Sequence, residues 1–408
     1  MNKAYDIIVG GGGNIGLVMA AASAYQGLNV ALVDEGVSNI LKNSQFDGRA
    51  YALSPATIKM LNVLGIWKEL VDGAQPILSM KVSDGIAGSG AFPFYMNFDH
   101  RDMESGPIAY MVEERFLKTA LWNKVLSYKN ISKIFGSKIV SQNINSGLIS
   151  VHFENKSKIF GKLLVGADGR QSTVAEHSGI KRDVHNYHQT SIVCAVSHEK
   201  DHFGEAHQFF MPAGPLAILP LQNKVSSIVW TECKDNAENL KGLSSNDFLA
   251  ELKTRFGSFR GRISLLSDRN FFPLSLSLSK SLVAQRVALV GDAAHAVHPI
   301  AGQGLNLGMR DVASLVEILT VARRCGEDIG SIDVLSRYSA WRDLDRLTLS
   351  SFTHIINKAF SNDNLILRMC RGIGMGVINR MPKLRGSLMN EASGQGNDLP
   401  VLMSGRPI

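Results

Sequence analysis

The hydrophobic and polar positions at the start of the chain predict a strand, a helix and a second strand within residues 5–34. Asp6-Ile-Ile-Val9 is a short apolar run typical of a buried strand, and Asn29-Val-Ala-Leu-Val-Asp34 is another. Between them, Ile15 to Tyr25 is rich in small and apolar residues and predicts a helix. Because the order is strand, helix, strand, we expect the two strands to lie parallel in one sheet.

Farther along the chain, the pattern predicts a capped helix, a strand-rich region and a helical C-terminal part. Residues 54–71 predict a helix, with Ser54 as its N-cap and a proline at its first position. Between about 185 and 235, β-branched and aromatic runs broken by proline and glycine predict strands. Helical spacing returns over residues 304–325 and 333–385. The predicted fold class is therefore α/β, with a strand-rich insertion.

The composition is that of an ordinary globular protein. Of 408 residues, 45% are hydrophobic and 19% charged, and the 38 glycines are the one excess. No apolar run reaches the ~18 residues that a membrane-spanning helix needs, and the first strand begins too early to leave room for a signal peptide. The four cysteines are scattered without metal-ligand spacing. These features predict a cytoplasmic protein with reduced thiols and no metal site.

The net charge of +7 is concentrated near the C-terminus. From Arg337 onward the chain has ten Lys or Arg and five Asp or Glu, so this part carries +5. No aromatic and basic recognition motif accompanies the charge, so nucleic acid is not predicted as a partner. An anionic membrane surface or an acidic partner fits better, which would place the protein peripherally at the inner face of a membrane. A solvated basic face is the alternative.

A glycine turn follows the first strand and opens the first helix. Gly11, Gly13 and Gly16 have the GxGxxG spacing, and Asp34 ends the next strand. Glycines permit the tight turn and the close approach of a phosphate, and the helix N-terminus then offers free N–H groups to a pyrophosphate. Asp34 can accept hydrogen bonds from ribose hydroxyls. The motif predicts a dinucleotide site without separating FAD from NAD, and a plain tight turn is the alternative.

Two further stretches place an acid at the exit of a strand. Leu163-Leu-Val-Gly-Ala-Asp168-Gly169 is the first, and Arg286-Val-Ala-Leu-Val-Gly291-Asp292 is the second. The second continues through His298-Pro299-Ile-Ala-Gly302-Gln303-Gly304-Leu-Asn306 into a helix. With its GxGxxG, "DG" and "GD" motifs in this order, the chain resembles the class A flavoprotein aromatic hydroxylases over nearly its full length.

This resemblance implies a non-covalently bound FAD and a monooxygenase that uses O2 and NAD(P)H, the latter visiting transiently. It implies that Asp292 bonds the ribityl hydroxyls and that a helix start at residues 302–304 faces the flavin. We expect His295 and His298 to serve packing and local hydrogen bonding rather than catalysis. No residue is assigned a direct catalytic role; those expected beside the flavin are Arg49, Pro299, Gly302 and Gln303. Those expected at the cofactor more widely are Gly11, Gly13, Gly16, Asp34, Glu35, Arg49, Asp168, Gly169, Gly291, Asp292, Gly302, Gly304 and Asn306.

One branch of these hydroxylases is more similar than the others. Asp47-x-Arg49-x-x-Ala52-Leu53-Ser54 and Phe210-x-Pro212-x-Gly214-Pro215 look like the ring hydroxylases of ubiquinone biosynthesis, as does Leu399-Pro-x-Leu402-Met-x-Gly405. The resemblance implies a phenol with a polyprenyl tail as substrate, met at a membrane or in a biosynthetic complex. The alternatives are a hydroxylase of a small soluble aromatic, an isoprenoid epoxidase or reductase, and a non-catalytic FAD-binding assembly subunit.

The chain departs from the family pattern at two positions. The family usually has Glu at the ribose-binding position, where this chain has Asp34 followed by Glu35. Glu114 stands where the family tends to have Asn, Gln or Arg facing the cofactor phosphates. A carboxylate beside a pyrophosphate is unfavourable unless it turns away or pairs with Arg115. We therefore expect the contact at Glu114 to differ from that of the family.

The resemblance also predicts how the chain divides. We expect a Rossmann-type FAD-binding domain formed by residues 1–75, 104–180 and 271–320. Residues 76–103 and 181–270 would form the inserted strand-rich substrate domain, and residues 321–408 a C-terminal helical segment.

Overall fold

The computed structural model describes residues 4–36, 46–86, 90–102, 106–297, 302–343 and 398–408. The strands, in chain order, are β1 Tyr5–Gly10, β2 Val30–Asp34, β3 Ala50–Leu53, β4 Gln75–Ile77, β5 Ser79–Ile86, β6 Gly90–Asp99, β7 Ala109–Glu113, β8 Ile131–Phe135, β9 Ile139–Asn145, β10 Leu148–Phe153, β11 Lys158–Gly166, β12 Arg182–His198, β13 Glu205–Met211, β14 Gly214–Leu221, β15 Val225–Cys233, β16 Ile263–Leu265, β17 Asn270–Ser279, β18 Val283–Ala284, β19 Val287–Leu289 and β20 His295–Ala296. The helices are α1 Asn14–Tyr25, α2 Pro55–Val63, α3 Glu114–Ser127, α4 Thr173–His177, α5 Lys234–Gly242, α6 Ser245–Phe256, α7 Gln303–Arg324 and α8 over 332–343.

The first sheet has the order β18-β19-β11-β1-β2-β8, with β10 beside β11 and β9 beside β10. β1 runs parallel to both β11 and β2, which confirms the predicted strand-helix-strand unit. Ile7, Ile8 and Val9 are fully buried because helices cover the sheet. α1 presents a row of alanines that are also fully buried, so it packs closely against its neighbours. The first glycine turn therefore lies at the carboxyl end of a central strand.

The second sheet, called here the large sheet, has the order β20-β17-β12-β15-β14-β13-β5-β6, with β16 beside β12. Its strands confirm the strand-rich region predicted between about 185 and 235. α5 and α6 cover one face, where Ile192, Cys194, Trp230 and Phe248 form a core. The predicted domain boundary at residue 271 falls inside β17, which pairs along its length with β12. The division into domains stays a prediction.

A three-stranded sheet, β3-β7-β4, lies beside α2. Ser54 caps α2 as predicted, since its hydroxyl accepts a hydrogen bond from the Thr57 N–H at 3.3 Å. The helix ends at Val63, earlier than the predicted 71, because Gly65 has a φ of +69° and turns the chain out of the helix. Two short 3-10 turns, Trp67–Glu69 and Val71–Gly73, occupy the rest of the predicted helix.

The C-terminal part confirms the helix predicted over residues 304–325, which is α7. The second predicted helix, 333–385, is confirmed as α8 to residue 343, and its remainder lies outside the described residues. Residues 398–408 pack on α2 and α7, where Leu402 and Met403 are buried. Across the described ranges, no helix combines the length and apolar character needed to cross a membrane.

Candidate functional site

In the glycine turn of the first sheet, two glycines have no room for a side chain and the third faces open space. Gly11 has a φ of +110°, and a side chain there would collide with the carbonyl of Ala167. A side chain on Gly16 would collide with the carbonyl of Gly11. A Cβ on Gly13 would meet nothing within 4 Å. The turn thus needs glycine twice for its own geometry, whereas the space at Gly13 is available to a ligand.

Two helices begin at the same cavity. Gly13 is the N-cap of α1, and Gly302, with a φ of +62°, is the N-cap of α7. Both line the cavity, together with Gln303 and Gly304 of α7. Neither helix has an acidic residue in its first turn, so the partial positive charge of each N-terminus is not neutralised locally. These two helix starts suit the pyrophosphate and the flavin, respectively, of a bound FAD.

Asp34 reaches back to the glycine turn. Its carboxylate accepts hydrogen bonds from the N–H groups of Gly12 at 2.5 Å and Gly36 at 2.8 Å. Glu35 is exposed beside it. The shorter aspartate therefore holds the turn that faces the cofactor, and the ribose contact predicted for Asp34 and Glu35 stays a prediction.

The two carboxylate oxygens of Asp168, in the "DG" motif, have different surroundings. One carboxylate oxygen accepts from the Val174 N–H at 3.0 Å and the Thr173 hydroxyl at 3.2 Å, so it binds the first turn of α4. The other oxygen is buried and has no hydrogen-bond partner within the described part of the chain. Gly169, with a φ of +79°, lines the cavity next to it. An unpartnered buried acceptor is costly, so this corner fits a ligand that carries a donor such as a hydroxyl.

Asp292 of the "GD" motif lines the cavity with about half of its side chain exposed, and Arg170 lies 3.4 Å from its carboxylate. The preceding Gly291 donates its N–H to Asp311 of α7 at 2.9 Å. Asp311 is fully buried and also accepts from His295 at 2.7 Å and from Arg342 of α8 at 2.9 Å. Burial favours the neutral acid, but the neighbouring His295 and Arg342 prevail and lower the pKa of Asp311.

His295 therefore serves the structure, as predicted, by joining the network that holds the "GD" turn. The motifs quoted from the sequence did not include Asp311, and its role was missed. The available signal was an acid on the buried face of a long amphipathic helix, where an unpaired charge would be unfavourable.

Asn306 lines the cavity, but both ends of its amide are engaged with protein. It donates to the Ala52 carbonyl at 2.8 Å and accepts from the Ser54 N–H at 3.0 Å and the Thr57 hydroxyl at 2.8 Å. The side chain thus fixes the turn between β3 and α2 against α7. A direct side-chain contact with the cofactor stays a prediction.

Glu114, the unusual residue, is the first residue of α3 and only 8% exposed. Its carboxylate accepts a hydrogen bond from the side-chain amide of Asn14 at 2.8 Å. Arg115 bonds to Glu113 instead, at 2.6 Å. Tyr51 lies close by, and burial together with the charge of Glu114 raises the pKa of its hydroxyl. Glu114 is therefore bonded to Asn14 rather than to Arg115, and its effect on the cofactor contact stays a prediction.

Arg49 lines the same cavity and holds Asp47 at 2.7 Å. Burial lowers and Asp47 raises the pKa of Arg49, and the net shift is upward, so the guanidinium stays charged. Pro299, also expected beside the flavin, lies outside the described residues, as does His298, for which packing and local hydrogen bonding were expected. Of the described flavin-side predictions, the cavity brings together Arg49, Gly302 and Gln303.

The cavity has a volume of about 580 Å³ and lies between the first sheet and the large sheet. Its cofactor side is formed by the two helix starts, Arg49 and Asp292. Its opposite side, called here the roof, is the inner face of the large sheet. The roof contributes Met80, Ser191, Val193, Ala206, Gln208, Ala217, Leu219, Val229, Phe272 and Leu274. A polar, phosphate-accepting side therefore faces a mostly apolar side.

Comparison with known proteins agrees with this geometry. Residues 4–343 match a family model described as an FAD binding domain. The chain belongs to this family of FAD-binding proteins, and FAD is its cofactor. Over 410 aligned residues it is 37% identical to "Ubiquinone hydroxylase UbiL" of Rhodospirillum rubrum, covering 100% of this chain and 94% of that protein. It is 30% identical to the "3-demethoxyubiquinol 3-hydroxylase" of Escherichia coli, covering 96% and 99%.

A solved structure shares the fold. The crystal structure of p-nitrophenol 4-monooxygenase PnpA from Pseudomonas putida superposes with a TM-score of 0.80. The alignment covers 98% of this chain and 100% of that one at 18% identity. This similarity confirms the predicted α/β architecture.

Proposed function

We propose that the protein is an FAD-dependent monooxygenase that hydroxylates the ring of a polyprenylated phenol in ubiquinone biosynthesis. The observation that carries the proposal is the two-sided cavity, in which groups suited to FAD face an apolar roof. The two relatives named above are hydroxylases by name, and this chain aligns with nearly their whole length. In the overall reaction, the ring C–H, O2, NAD(P)H and a proton give a ring C–OH, water and NAD(P)⁺.

When bound, FAD would supply the two-electron redox chemistry between NAD(P)H and O2. In this proposal the start of α1 at Gly13 binds the pyrophosphate, Asp292 binds the ribityl hydroxyls, and the start of α7 stabilises negative charge on the flavin. Asp311 and Asn306 keep these groups in place through the contacts described above. The protein thus contributes positioning and the exclusion of water.

The roof favours a neutral, apolar substrate over a small aromatic acid. Among the described roof residues that line the cavity, no Lys or Arg is present. The cavity arginines come from the cofactor side, where Arg49 faces Asp47 and Arg170 faces Asp292. A carboxylate substrate would require a cation on the roof, since burying an unpaired charge is costly. The apolar roof instead suits a prenylated ring.

The assembly-subunit alternative depended on Glu114, and the structure weakens that argument. A carboxylate at this position would oppose the cofactor if it pointed at the phosphates. Glu114 is bonded to Asn14 and is not among the described residues that line the cavity. The unusual residue therefore gives no reason to doubt catalysis.

The decisive experiment uses the full chain reconstituted with FAD. NAD(P)H oxidation is measured with and without a phenol carrying a short prenyl chain, and the product is analysed by mass spectrometry under ¹⁸O2. We expect phenol-stimulated oxidation and one ¹⁸O atom in the ring product. A small aromatic acid of equal ring size is the matched control and should stimulate oxidation far less. Equal stimulation by the acid, or none by the phenol, would refute the proposed substrate class.

We further propose that the basic C-terminal part brings the enzyme to an anionic membrane or an acidic partner, where a polyprenyl phenol resides. Leu365, Met369, Ile373 and Val377 repeat every four residues in the sequence and favour an interfacial helix, whereas three nearby glycines favour packing on another element. These positions lie outside the described residues. The test replaces four cations with Gln and measures sedimentation with anionic vesicles and FAD content; the positions are Arg368, Arg371, Lys383 and Arg385. Association that is unchanged and insensitive to salt would contradict the proposal.

A further inference from the structure

The roof of the cavity has two polar positions in an apolar surface. Ser191 lies on β12 and Gln208 on β13. Both line the cavity and are nearly fully buried, at 3% and 5% exposure. The other described roof residues named above are hydrophobic. A mostly apolar wall makes the placement of two polar side chains significant.

The pairing register of the strands explains why these two side chains face the cavity. Val193, Val229, Ala217 and Gln208 form one row across β12, β15, β14 and β13. All four line the cavity, so Gln208 lies on the inner face. Ser191 is two residues before Val193 on β12 and therefore points to the same face. On β13, His207 lies between Ala206 and Gln208, which both line the cavity. His207 therefore points to the opposite face of the sheet, where it bonds to Glu205 at 2.8 Å.

Within the part of the chain that the structure describes, neither polar side chain has a hydrogen-bond partner. The Ser191 hydroxyl is buried and lacks a hydrogen-bond partner among the described residues. The Gln208 amide makes no hydrogen bond to any side chain or backbone group that the structure describes. No described residue compensates these two polar groups, although an apolar residue at either position would cost the fold less. Such positions are typical of a binding function rather than of stability.

Their chemistry specifies the kind of ligand atom. A hydroxyl and a primary amide each offer a donor and an acceptor and carry no charge. They suit neutral ring oxygens, such as a phenolic hydroxyl or an ether oxygen, and would leave a carboxylate uncompensated. β12 and β13 are three strand spacings apart, about 14 Å at the backbone. Ser191 and Gln208 can therefore hydrogen-bond to opposite edges of a substrate ring that lies between them.

We propose that Gln208 and Ser191 hydrogen-bond to oxygen substituents of the substrate ring and determine which ring carbon faces the flavin. This proposal rests on the proposed function, because it requires an aromatic ring with oxygen substituents in the cavity. The apolar roof residues between them accommodate the ring itself. Gln208 and Ser191 are thus specificity-determining residues.

The test compares Gln208→Leu and Ser191→Ala with wild type, using the FAD-loaded full chain and a short-chain prenylated phenol with a second ring oxygen. Gln208→Leu removes both hydrogen-bonding groups at similar volume. We expect KM to rise about tenfold, the yield of product per NAD(P)H to fall, and hydroxylation to spread over more than one ring position. Ser191→Ala should show the same changes to a smaller extent, and Ser191→Thr, which keeps the hydroxyl, should restore the wild-type product.

Val184→Ala is the control, a change at a position of β12 that is 66% exposed and does not line the cavity, and it should leave the product unchanged. Without substrate, Gln208→Leu should equal or exceed wild type in resistance to urea, whereas a structural role would make it less resistant. If wild type hydroxylates the phenol and Gln208→Leu keeps its KM, yield and product, this inference alone is wrong. If wild type oxidises no phenol of this kind, the proposed function is wrong and the inference falls with it.

Discussion

The side-chain amide of Asn14 donates a hydrogen bond to the carboxylate of Glu114 at 2.8 Å, joining the start of α1 to the start of α3. A carboxylate only accepts, so the amide nitrogen must face it. The first turn of α3 also favours a negative charge. Glu114, the acid that departs from the family pattern, is therefore stabilised by the Asn14 amide and by the N-terminus of α3.

This contact predicts different effects for two acidic residues on FAD affinity. Asp292→Ala should remove charge-assisted hydrogen bonds worth about 1.5–3 kcal/mol and raise the FAD dissociation constant accordingly. Glu114→Gln keeps an oxygen that can accept from Asn14 and should change the constant much less. Titration of apoprotein with FAD, followed by flavin fluorescence, measures both. An equal loss of affinity in the two variants would show that Glu114 contributes to binding.

Because Gly13 and Gly16 differ in their surroundings, we expect one substitution in the glycine turn to weaken FAD binding alone and the other to weaken the fold. Gly13→Ala should leave the apoprotein as stable as wild type, because the added methyl meets open space at an ordinary φ of −70°. The same methyl should obstruct the pyrophosphate and weaken FAD binding at least tenfold. Gly16→Ala, the matched variant, should destabilise the apoprotein by collision with Gly11. Urea unfolding and FAD titration give the two readouts; normal FAD binding by Gly13→Ala would place the phosphates elsewhere.

The buried network at the "GD" turn predicts a large stability effect. Asp311→Asn should cost about 3–5 kcal/mol in the free energy of unfolding, because the charge of buried Arg342 loses its carboxylate. Replacing both, as Asp311→Asn with Arg342→Met, should cost less than the single change. Urea denaturation of the apoproteins tests this. Glu327→Gln breaks an exposed pair with Arg337 and serves as the control. A double variant no better than the single one would argue against charge compensation.

His207 predicts a pH dependence of stability. Burial is the main cause that holds its pKa below the ordinary 6.5, and the charges of Arg260 and Lys81 add to this against the opposing Glu205. The unfolded chain therefore takes up the proton first as pH falls, so stability declines below about pH 6.5 and levels off under the folded pKa. His207→Gln should make this decline shallower. Urea unfolding at intervals from pH 7.5 to 5 measures it, and parallel curves for both proteins would contradict the prediction.

The parts of the fold that follow local rules could be predicted from the sequence. The first strand-helix-strand unit, the Ser54 cap and the start of α7 depend on neighbouring residues, and each was predicted correctly. The end of α2 was misjudged because a single left-handed glycine, Gly65, outweighed the apolar spacing that continues beyond it.

The roof could not be predicted because it depends on the pairing of distant strands. Alternation in β12 and β13 shows that residues face two sides, yet it does not say which side meets the cofactor. Ser191 and Gln208 belong to no motif and look like ordinary strand positions. Asp311 and Arg342 similarly meet only through the packing of α8 on α7. Such contacts become visible only in three dimensions.

The order of strands in the first sheet bears on how the protein is made. β1, β11 and β19 are neighbours in space, although they come from residues 5–10, 158–166 and 287–289. During synthesis, the strand that carries the glycine turn must wait for most of the chain before its sheet is complete. Pairing at such sequence separation is slow and leaves apolar edges exposed meanwhile. We therefore expect FAD to bind late in synthesis, and we expect a chain shortened before β19 to leave the edge of β11 at residues 164–166 unpaired.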